Sequence, residues 1–554
     1  MALRRARREL LPGVLESAPR AQAVVTMTPK IHRSTLDIAA IAAERERRGP
    51  PIIKTDAHGR EIYEPDGAVL TKFLMSDNKL DIIQGPIGSG KTNAMFRRLG
   101  RHAMQQAKSS RDGLRKTRWA IVRNTFPELK RTTIPTWRRV WPPSMYGEVK
   151  MGSPPRHEIA FGDVRIEVDF LALDDEDDIK KLRSADYTGA AVHEVQYIDL
   201  SLFREIRSRT NRYPAESDGG AMWHGIIADA NAPDEDHWLA MMTGQVDLPE
   251  GMTLEERRGL QWPSHWGFFL QPPASLKIRG TRGEFLRHEI NLDAENLRWL
   301  ASDYYLDLLD GNSQDWIDNR LGNETILVVE GSPVWPMFRR DFHVAREPLR
   351  PVPNHDVLVW LDFGRVYPAA LFAQEINGRI NVQREILGFN EGATIFAPKV
   401  KRFLEQHYQG CNFRCVGDPK GRDKGQATEQ SSYDVFKHNG MPVTPAPVKA
   451  NDISTRLEAV AYALNDNPRG VNRLVISPLC RTLIVGMAGR YHLVKEEDGE
   501  LRPKKDKYSN LCDCLQYGCL SLGEGRRMTG LRPAAEVKPT RIAPARRSLR
   551  RILA

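Results

Sequence analysis

The chain has 554 residues, 41% of them hydrophobic and 27% charged; this is globular composition, too long for one core and suited to two to four domains at ~100–200 residues each. No apolar run approaches the roughly 18 residues a membrane span needs. The basic start Met1-Ala2-Leu3-Arg4-Arg5-Ala6-Arg7-Arg8 leads into no apolar segment with a small-residue cleavage site, so a cytosolic protein with no membrane partner is expected. The net charge of +10 resides in the tails: residues 1–33 carry +5 and residues 526–554 carry +8, which leaves −3 on residues 34–525. Basic tails of this kind commonly touch nucleic acid or an acidic partner.

Residues 1–50 are rich in Arg, Ala and Glu without a sustained apolar stripe, and read as a basic arm with one or two short helices. Residues 51–340 read as an α/β domain. Its opening strand, Leu80-Asp81-Ile82-Ile83, runs into Gln84-Gly85-Pro86-Ile87-Gly88-Ser89-Gly90-Lys91-Thr92 and then a helix. That is G-x-x-x-x-G-K-[ST] in the setting the motif requires. Gly85, Gly88, Ser89 and Gly90 allow backbone N–H groups to close around phosphate oxygens, and the helix N-terminus adds partial positive charge. Lys91 would reach the β- and γ-phosphates and the Thr92 hydroxyl would ligate Mg²⁺. The chain is therefore expected to bind ATP.

Further strands follow at Arg118–Val122, His157–Phe161 and Val164–Leu171, the last alternating apolar and polar as a half-buried strand should. Gly189–Val192 and Gly225–Ala228 are two more apolar runs. Strands alternating with helical segments argue a mainly parallel sheet with flanking helices. At the end of the first of these runs, Ala190-Ala191-Val192-His193-Glu194 stands where a P-loop enzyme carries its second acidic motif. The usual Asp-Glu is here His193-Glu194, so Glu194 is assigned as general base for water, and metal affinity rests more heavily on Thr92. The third strand end leads to Asn231, a polar side chain placed to sense the γ-phosphate. The following Asp234-Glu235-Asp236 reads as helix N-terminal charge, and the acid run at residues 174–178 as a solvated turn capping a helix.

Pro348, Pro351 and Pro353 mark a linker over residues 341–355. Residues 356–525 read as a second α/β domain, and residues 526–554 as an Arg/Pro/Ala-rich disordered tail. In the second domain Asp362 and Asp418 each end a strand, and Asp513 lies near the start of a helix. Three such carboxylates can converge to hold two Mg²⁺ or Mn²⁺ ions, which clamp the attacking and leaving oxygens of a phosphodiester. Lys420, Arg422, Lys424, Lys504, Lys505 and Lys507 lie near these acids in sequence and are candidates for a DNA backbone. The six cysteines have no C-x-x-C spacing and read as small buried hydrophobes in a reducing compartment.

From about residue 70 to 522 the chain resembles the large terminase subunit of tailed bacteriophages. The matching pieces are the P-loop, Ile121-Val122-Arg123-Asn124-Thr125-Phe126-Pro127-Glu128-Leu129, Leu182-Arg183-Ser184-Ala185-Asp186, His193-Glu194 and the stretch Asp229 to Trp238. They continue with Glu330-Gly331-Ser332-Pro333-Val334-Trp335-Pro336-Met337-Phe338 and the Asp362, Asp418 and Asp513 motifs. The resemblance implies an N-terminal P-loop ATPase joined to a C-terminal nuclease of RNase H-like fold. The implied activity is ATP-driven translocation of double-stranded DNA into a procapsid and two-metal endonucleolytic cutting of concatemeric DNA. It also implies a portal protein and a small terminase subunit as partners, and a homo-oligomeric ring, a pentamer. Such a ring docks transiently on the procapsid in the host cytoplasm and is absent from the mature virion. Arg183 falls where the family places an arginine that reaches a neighbouring subunit's nucleotide; Arg123 is a second candidate for sensing nucleotide. Two departures stand out: His193 in place of an acid, and Pro86 and Ile87 where many members carry a basic residue. The rival readings are a helicase–nuclease of repair or plasmid maintenance, which needs a second RecA-like domain, and a non-catalytic assembly protein, suggested by His193.

Overall fold

The computed structural model describes residues 35–49, 54–55, 61–173, 182, 185–249, 252, 254–281, 285–326, 332–364, 366–425, 428–465, 472–496, 499–524 and 540–541. Arg183, the acid run at 174–178, the first 34 residues and the basic tail apart from Thr540–Arg541 lie outside the described residues.

Two seven-stranded sheets organise the chain. The first begins with β1 (Leu80–Gln84), whose five residues are all buried, followed by the P-loop and α1 (Lys91–Gln105). It continues through β2 (Arg115–Arg123), β3 (Arg156–Phe161), β4 (Val164–Ala172), β5 (Gly189–Val192), β6 (Gly225–Ala230) and β7 (Gly267–Leu270). The order across the sheet is β3-β4-β2-β5-β6-β1-β7, parallel except for β3, which pairs antiparallel with β4. Every residue of β5 and β6 is buried, as a parallel strand covered on both faces must be. One face packs Met95, Phe96 and Leu99 of α1 against Ile83, Ile121 and Trp137; the other packs Ile82, Val122 and Val192 against Phe203 and Trp238. Arg98 of α1 makes a fully buried ion pair with Asp81 of β1 at 2.6 Å.

The order has one consequence for the site. Glu194 follows β5, and β6 lies between β5 and the P-loop strand β1. Three parallel strands therefore deliver their carboxyl ends side by side, where ligands bind in open α/β sheets.

The second sheet is built from β8 (Val357–Asp362), β9 (Ala369–Ile376), β10 (Arg379–Leu387), β11 (Asn412–Gly417), β12 (Val443–Pro445) and β13 (Leu474–Ile476), with Thr540–Arg541 pairing on β11. The order is β12-β11-β8-β9-β10-β13. β8, β9 and β10 form an antiparallel meander, while β11 lies parallel to β8 and β12 parallel to β11. This is the RNase H-like arrangement and not a second RecA-like sheet, which a helicase would have required. On one face α2 (Ala393–His407) packs Phe396, Val400 and Phe403; on the other lie α3 (Ile453–Asn465) and α4 (Lys507–Ser521). Trp335 and Phe338 already belong to this second core, and Ser332–Pro333 pairs with His492–Lys495. All six cysteines are buried and free, as small hydrophobes. Among the described residues no helix is long and apolar enough to cross a membrane.

The acids Asp234, Glu235 and Asp236 correct the sequence reading. They do not simply complement the helix Trp238–Met242, whose N-cap is His237. Each instead pairs with a base from beyond the first sheet: Asp234 with Arg490, Glu235 with Arg340, and Asp236 with Lys507 at 3.0 Å.

Candidate active sites

The first site is the P-loop. Gly88 and Gly90 adopt φ of 77° and 83°, and Gly90 is the N-cap of α1. A Cβ at Gly88 would also stand 2.7 Å from the ring of Tyr304, so glycine is required there. The loop is braced from residues far along the chain. Ser89 Oγ donates to Gln271 Oε1 at 2.7 Å, Gln271 Nε2 donates to Glu295 at 2.8 Å, and Asn296 Nδ2 donates to the Gly88 carbonyl at 2.6 Å.

Lys91 is buried and its Nζ donates to the Pro86 carbonyl at 2.7 Å and to Asn231 Oδ1 at 3.1 Å. Burial draws its ammonium down to about 8, and none of the described acids forms an ion pair with it. A desolvated ammonium held only by neutral oxygens, at the start of a helix, suits a polyphosphate, whose charge would replace the lost water. Asn231 thus stands at the Lys91 ammonium.

Thr92 Oγ1 donates to Asp229 Oδ2, and Asp229 Oδ1 accepts the Glu194 N–H at 2.7 Å. His193 is buried, which holds its imidazole below the usual value, and its Nδ1 lies 2.8 Å from Thr133 Oγ1. Glu194 itself sits at φ 55°, ψ 60°. Among the described residues eight non-glycine residues have positive φ; seven are asparagine and Glu194 is the other. A left-handed glutamate costs ~1–3 kcal/mol and persists where surrounding contacts impose it, commonly at functional positions. Here the contacts are Asp229 on its N–H and Arg123, which pairs with its carboxylate. Arg123 also donates to the His193 carbonyl at 3.3 Å and lies over the Tyr197 ring.

The second site lies at the carboxyl ends of β8 and β11. Leu361 is in register with Gly417, so Asp362 and Asp418 emerge from adjacent parallel strands, and α4 crosses β8 to bring Asp513 to the same place. The three line one open cleft of about 610 Å³, with Lys420, Arg456 and Lys505. Asp513 pairs with Arg456 and with Lys505, each at 2.6 Å. Asp418 accepts from the Lys420 N–H at 3.0 Å and from Asn451 at 3.3 Å. Asp362 is pushed up to about 8, by burial first and then by the neighbouring Asp513 and Asp418. Among the described residues no three acidic, His or Cys side chains are already posed as a metal cage. The donor set nonetheless fits a hard divalent cation: three carboxylates and no sulfur or imidazole, with Asp362 held protonated by burial and by two neighbouring acids whose charge a cation would offset. Of the bases proposed for a DNA backbone, Lys420 is exposed at the rim, while Lys505 is engaged by Asp513 and Lys507 by Asp236.

No family model and no curated protein matches the sequence. Solved structures do: the chain is similar to the large terminase from a thermophilic bacteriophage, at 16% identity and a TM-score of 0.34, over 82% of this chain and 98% of that one. It is also similar to the HK97 bacteriophage large terminase, at 10% identity and 0.37, over 88% and 99%. Residues over 34% of the chain are similar to the large terminase nuclease from thermophilic phage G20c with bound cobalt, at 14% identity and 0.26, covering 97% of that domain.

Sequence reasoning missed Asp229, Gln271 and Arg456 as members of a site. Only Asp229 left a signal: it is an acid inside the buried run Ile226-Ile227-Ala228-Asp229-Ala230-Asn231, two residues from Asn231 and so on the same side of β6.

Proposed function

We propose that the protein is the large terminase subunit of a phage DNA-packaging motor. Residues 51–340 would hydrolyse ATP and drive double-stranded DNA into a procapsid. Residues 356–525, joined through 341–355, would cut concatemeric DNA. The observation that carries this is the pairing, on one chain, of a P-loop whose Lys91 meets Asn231 with a second sheet that gathers Asp362, Asp418 and Asp513 on one cleft.

In the ATP reaction, backbone N–H groups from Gly85 to Gly90 would hold phosphate oxygens, and Lys91 would exchange the Pro86 carbonyl for the β- and γ-phosphates. Glu194 would take the proton of the attacking water, and Asn231 would register loss of the γ-phosphate. Thr92 would help hold Mg²⁺. Arg183, from a neighbouring copy in a pentameric ring, would neutralise charge developing on the γ-phosphate.

At the second site Asp362, Asp418 and Asp513 would hold Mg²⁺ or Mn²⁺; when bound, the metal would supply charge to both the attacking and the leaving oxygen of a phosphodiester. Arg456 and Lys505 balance Asp513 without it, and Lys420 at the rim is placed for a backbone phosphate. The partners would be DNA, a portal protein and a small terminase subunit, and the site of action the host cytoplasm, on the procapsid. The deciding experiment is uptake of DNA into purified portal-bearing empty capsids with ATP. Protected DNA inside the capsid is the expected result; none, with small subunit supplied, would overturn the reading.

A further inference from the structure

Position 193 is where a carboxylate would follow the second acidic strand of a nucleotide-binding sheet, and it holds a histidine. His193 is spoken for on one side by Thr133, and in its neutral form an imidazole brings no negative charge to a divalent cation. The missing charge stands one strand away. Val192 is in register with Ala228 and Ile83 with Asp229, so Asp229 emerges from β6 between His193 and the P-loop. Its side chain is 1% exposed. One oxygen accepts the Thr92 hydroxyl and the other accepts the Glu194 N–H at 2.7 Å. His193 Nε2 is 3.9 Å from Asp229 Oδ2 and 3.4 Å from Thr92 Oγ1. No arginine or lysine among the described residues pairs with Asp229. Buried carboxylates are paired or coordinate metals, and this one faces the hydroxyl that a P-loop uses for its metal.

We propose that Asp229 is the acid that, with Thr92, holds the divalent cation accompanying the nucleotide, so that the metal site is built from β6 and the P-loop and not from position 193. The inference rests on the reading of the first site as ATP-binding. The same carboxylate, through its second oxygen, fixes the backbone of Glu194 and so sets the general base at a defined place beside the cation.

The test reads nucleotide affinity with and without metal, using a fluorescent ATPγS analogue titrated in EDTA and in Mg²⁺. The wild-type chain binds in EDTA and gains affinity in Mg²⁺. Asp229→Asn still binds in EDTA, and the ratio of its affinity in Mg²⁺ to that in EDTA falls by about 10-fold or more, since even outer-sphere partners of a metal are worth about 10–100-fold. Asp229→Cys, placed in a chain whose own cysteines are all buried, recovers the gain with thiophilic Cd²⁺ and not with Mg²⁺; this second variant decides the matter if Asp229→Asn does not fold. A full Mg²⁺ gain in Asp229→Asn, or a gain abolished by His193→Ala and kept by Asp229→Asn, overturns the proposal. A wild-type chain that binds no nucleotide in either condition removes the ATP-site reading and the proposal with it, while nucleotide binding without any metal gain removes the proposal alone.

Discussion

Arg123 at the end of β2 and Glu194 just beyond β5 form an ion pair across neighbouring strands, the guanidinium buried and the carboxylate partly exposed. The pair fixes where the Glu194 carboxylate points before any ligand arrives, at a residue whose backbone is already held in the left-handed region.

Glu194→Gln keeps the shape of this residue but cannot accept a proton. ATP should bind to this variant and turn over ~10²–10⁴-fold more slowly, the usual worth of a general base. Lys91→Ala should instead weaken binding, because it removes the ammonium that Asn231 and Pro86 hold in the loop. Equilibrium binding and phosphate release on both variants separate the two; normal hydrolysis by Glu194→Gln would remove the assignment.

Asp362→Ala, Asp418→Ala and Asp513→Ala should each abolish DNA cutting and leave ATP hydrolysis nearly intact, since the two sites lie on different sheets. Cleavage of linear or supercoiled DNA in Mg²⁺ and in Mn²⁺ is the measurement, and chelation should silence the wild type equally. A variant that cuts at the wild-type rate in both metals shows that its acid is not a ligand.

Arg183→Ala should bind ATP normally and lose roughly 10³–10⁵ in rate if the arginine acts on a neighbour's nucleotide. Mixing Arg183→Ala with Glu194→Gln protein then rebuilds intact sites from the Glu194 of one chain and the Arg183 of the other. Activity should return in part. Its absence in assemblies shown to be mixed would place Arg183 in its own subunit's site or in a structural role.

Gly518 lies in α4 directly over Trp360, where an added Cβ would stand 2.0 Å from the indole. Gly518→Ala should cost about 1–3 kcal/mol by overpacking. The displaced helix carries Asp513, so DNA cutting should fall while nucleotide affinity stays unchanged. Thermal unfolding with a cleavage assay checks both, and a wild-type unfolding midpoint would contradict the close contact.

His102 stacks on Trp223 with ring centroids 4.1 Å apart. Burial, and then Arg98 and Arg101, hold it well below its usual 6.5. Below that pH the unfolded chain binds a proton that the folded chain refuses, so stability falls as pH falls, by about 1.4 kcal/mol per pH unit for this group. His102→Gln should flatten the decline in Tm between about pH 7 and pH 5; an unchanged slope would show that other groups set it.

The P-loop was legible because its chemistry is contiguous: eight residues, a strand before and a helix after. Asp362 and Asp418 were legible as acids ending apolar runs. Asp229 was not read as a site residue, because its part depends on β6 lying between β1 and β5, and strand order is a property of the whole sheet. Gln271 and Asn296 brace the P-loop from well over a hundred residues away, and no local pattern announces that. Gly518 is an ordinary weak point in a helix until Trp360 is beneath it. The acids at 234–236 misled for the same reason: their bases are more than a hundred residues further on.

Those acids join two ends of the molecule. Asn231 touches the P-loop lysine; a few residues later Asp234, Glu235 and Asp236 are held by Arg490, Arg340 and Lys507, and Lys507 opens the helix that bears Asp513. A small shift of the chain beside Asn231 is thereby a tug on the frame that carries the acids of the second site. The link is made of partly exposed charges, whose reach in water is about 8 Å at physiological ionic strength and about 3 Å at 1 M. Concentrated salt should therefore act as a clutch, leaving each site intact while a displacement at one no longer reaches the other.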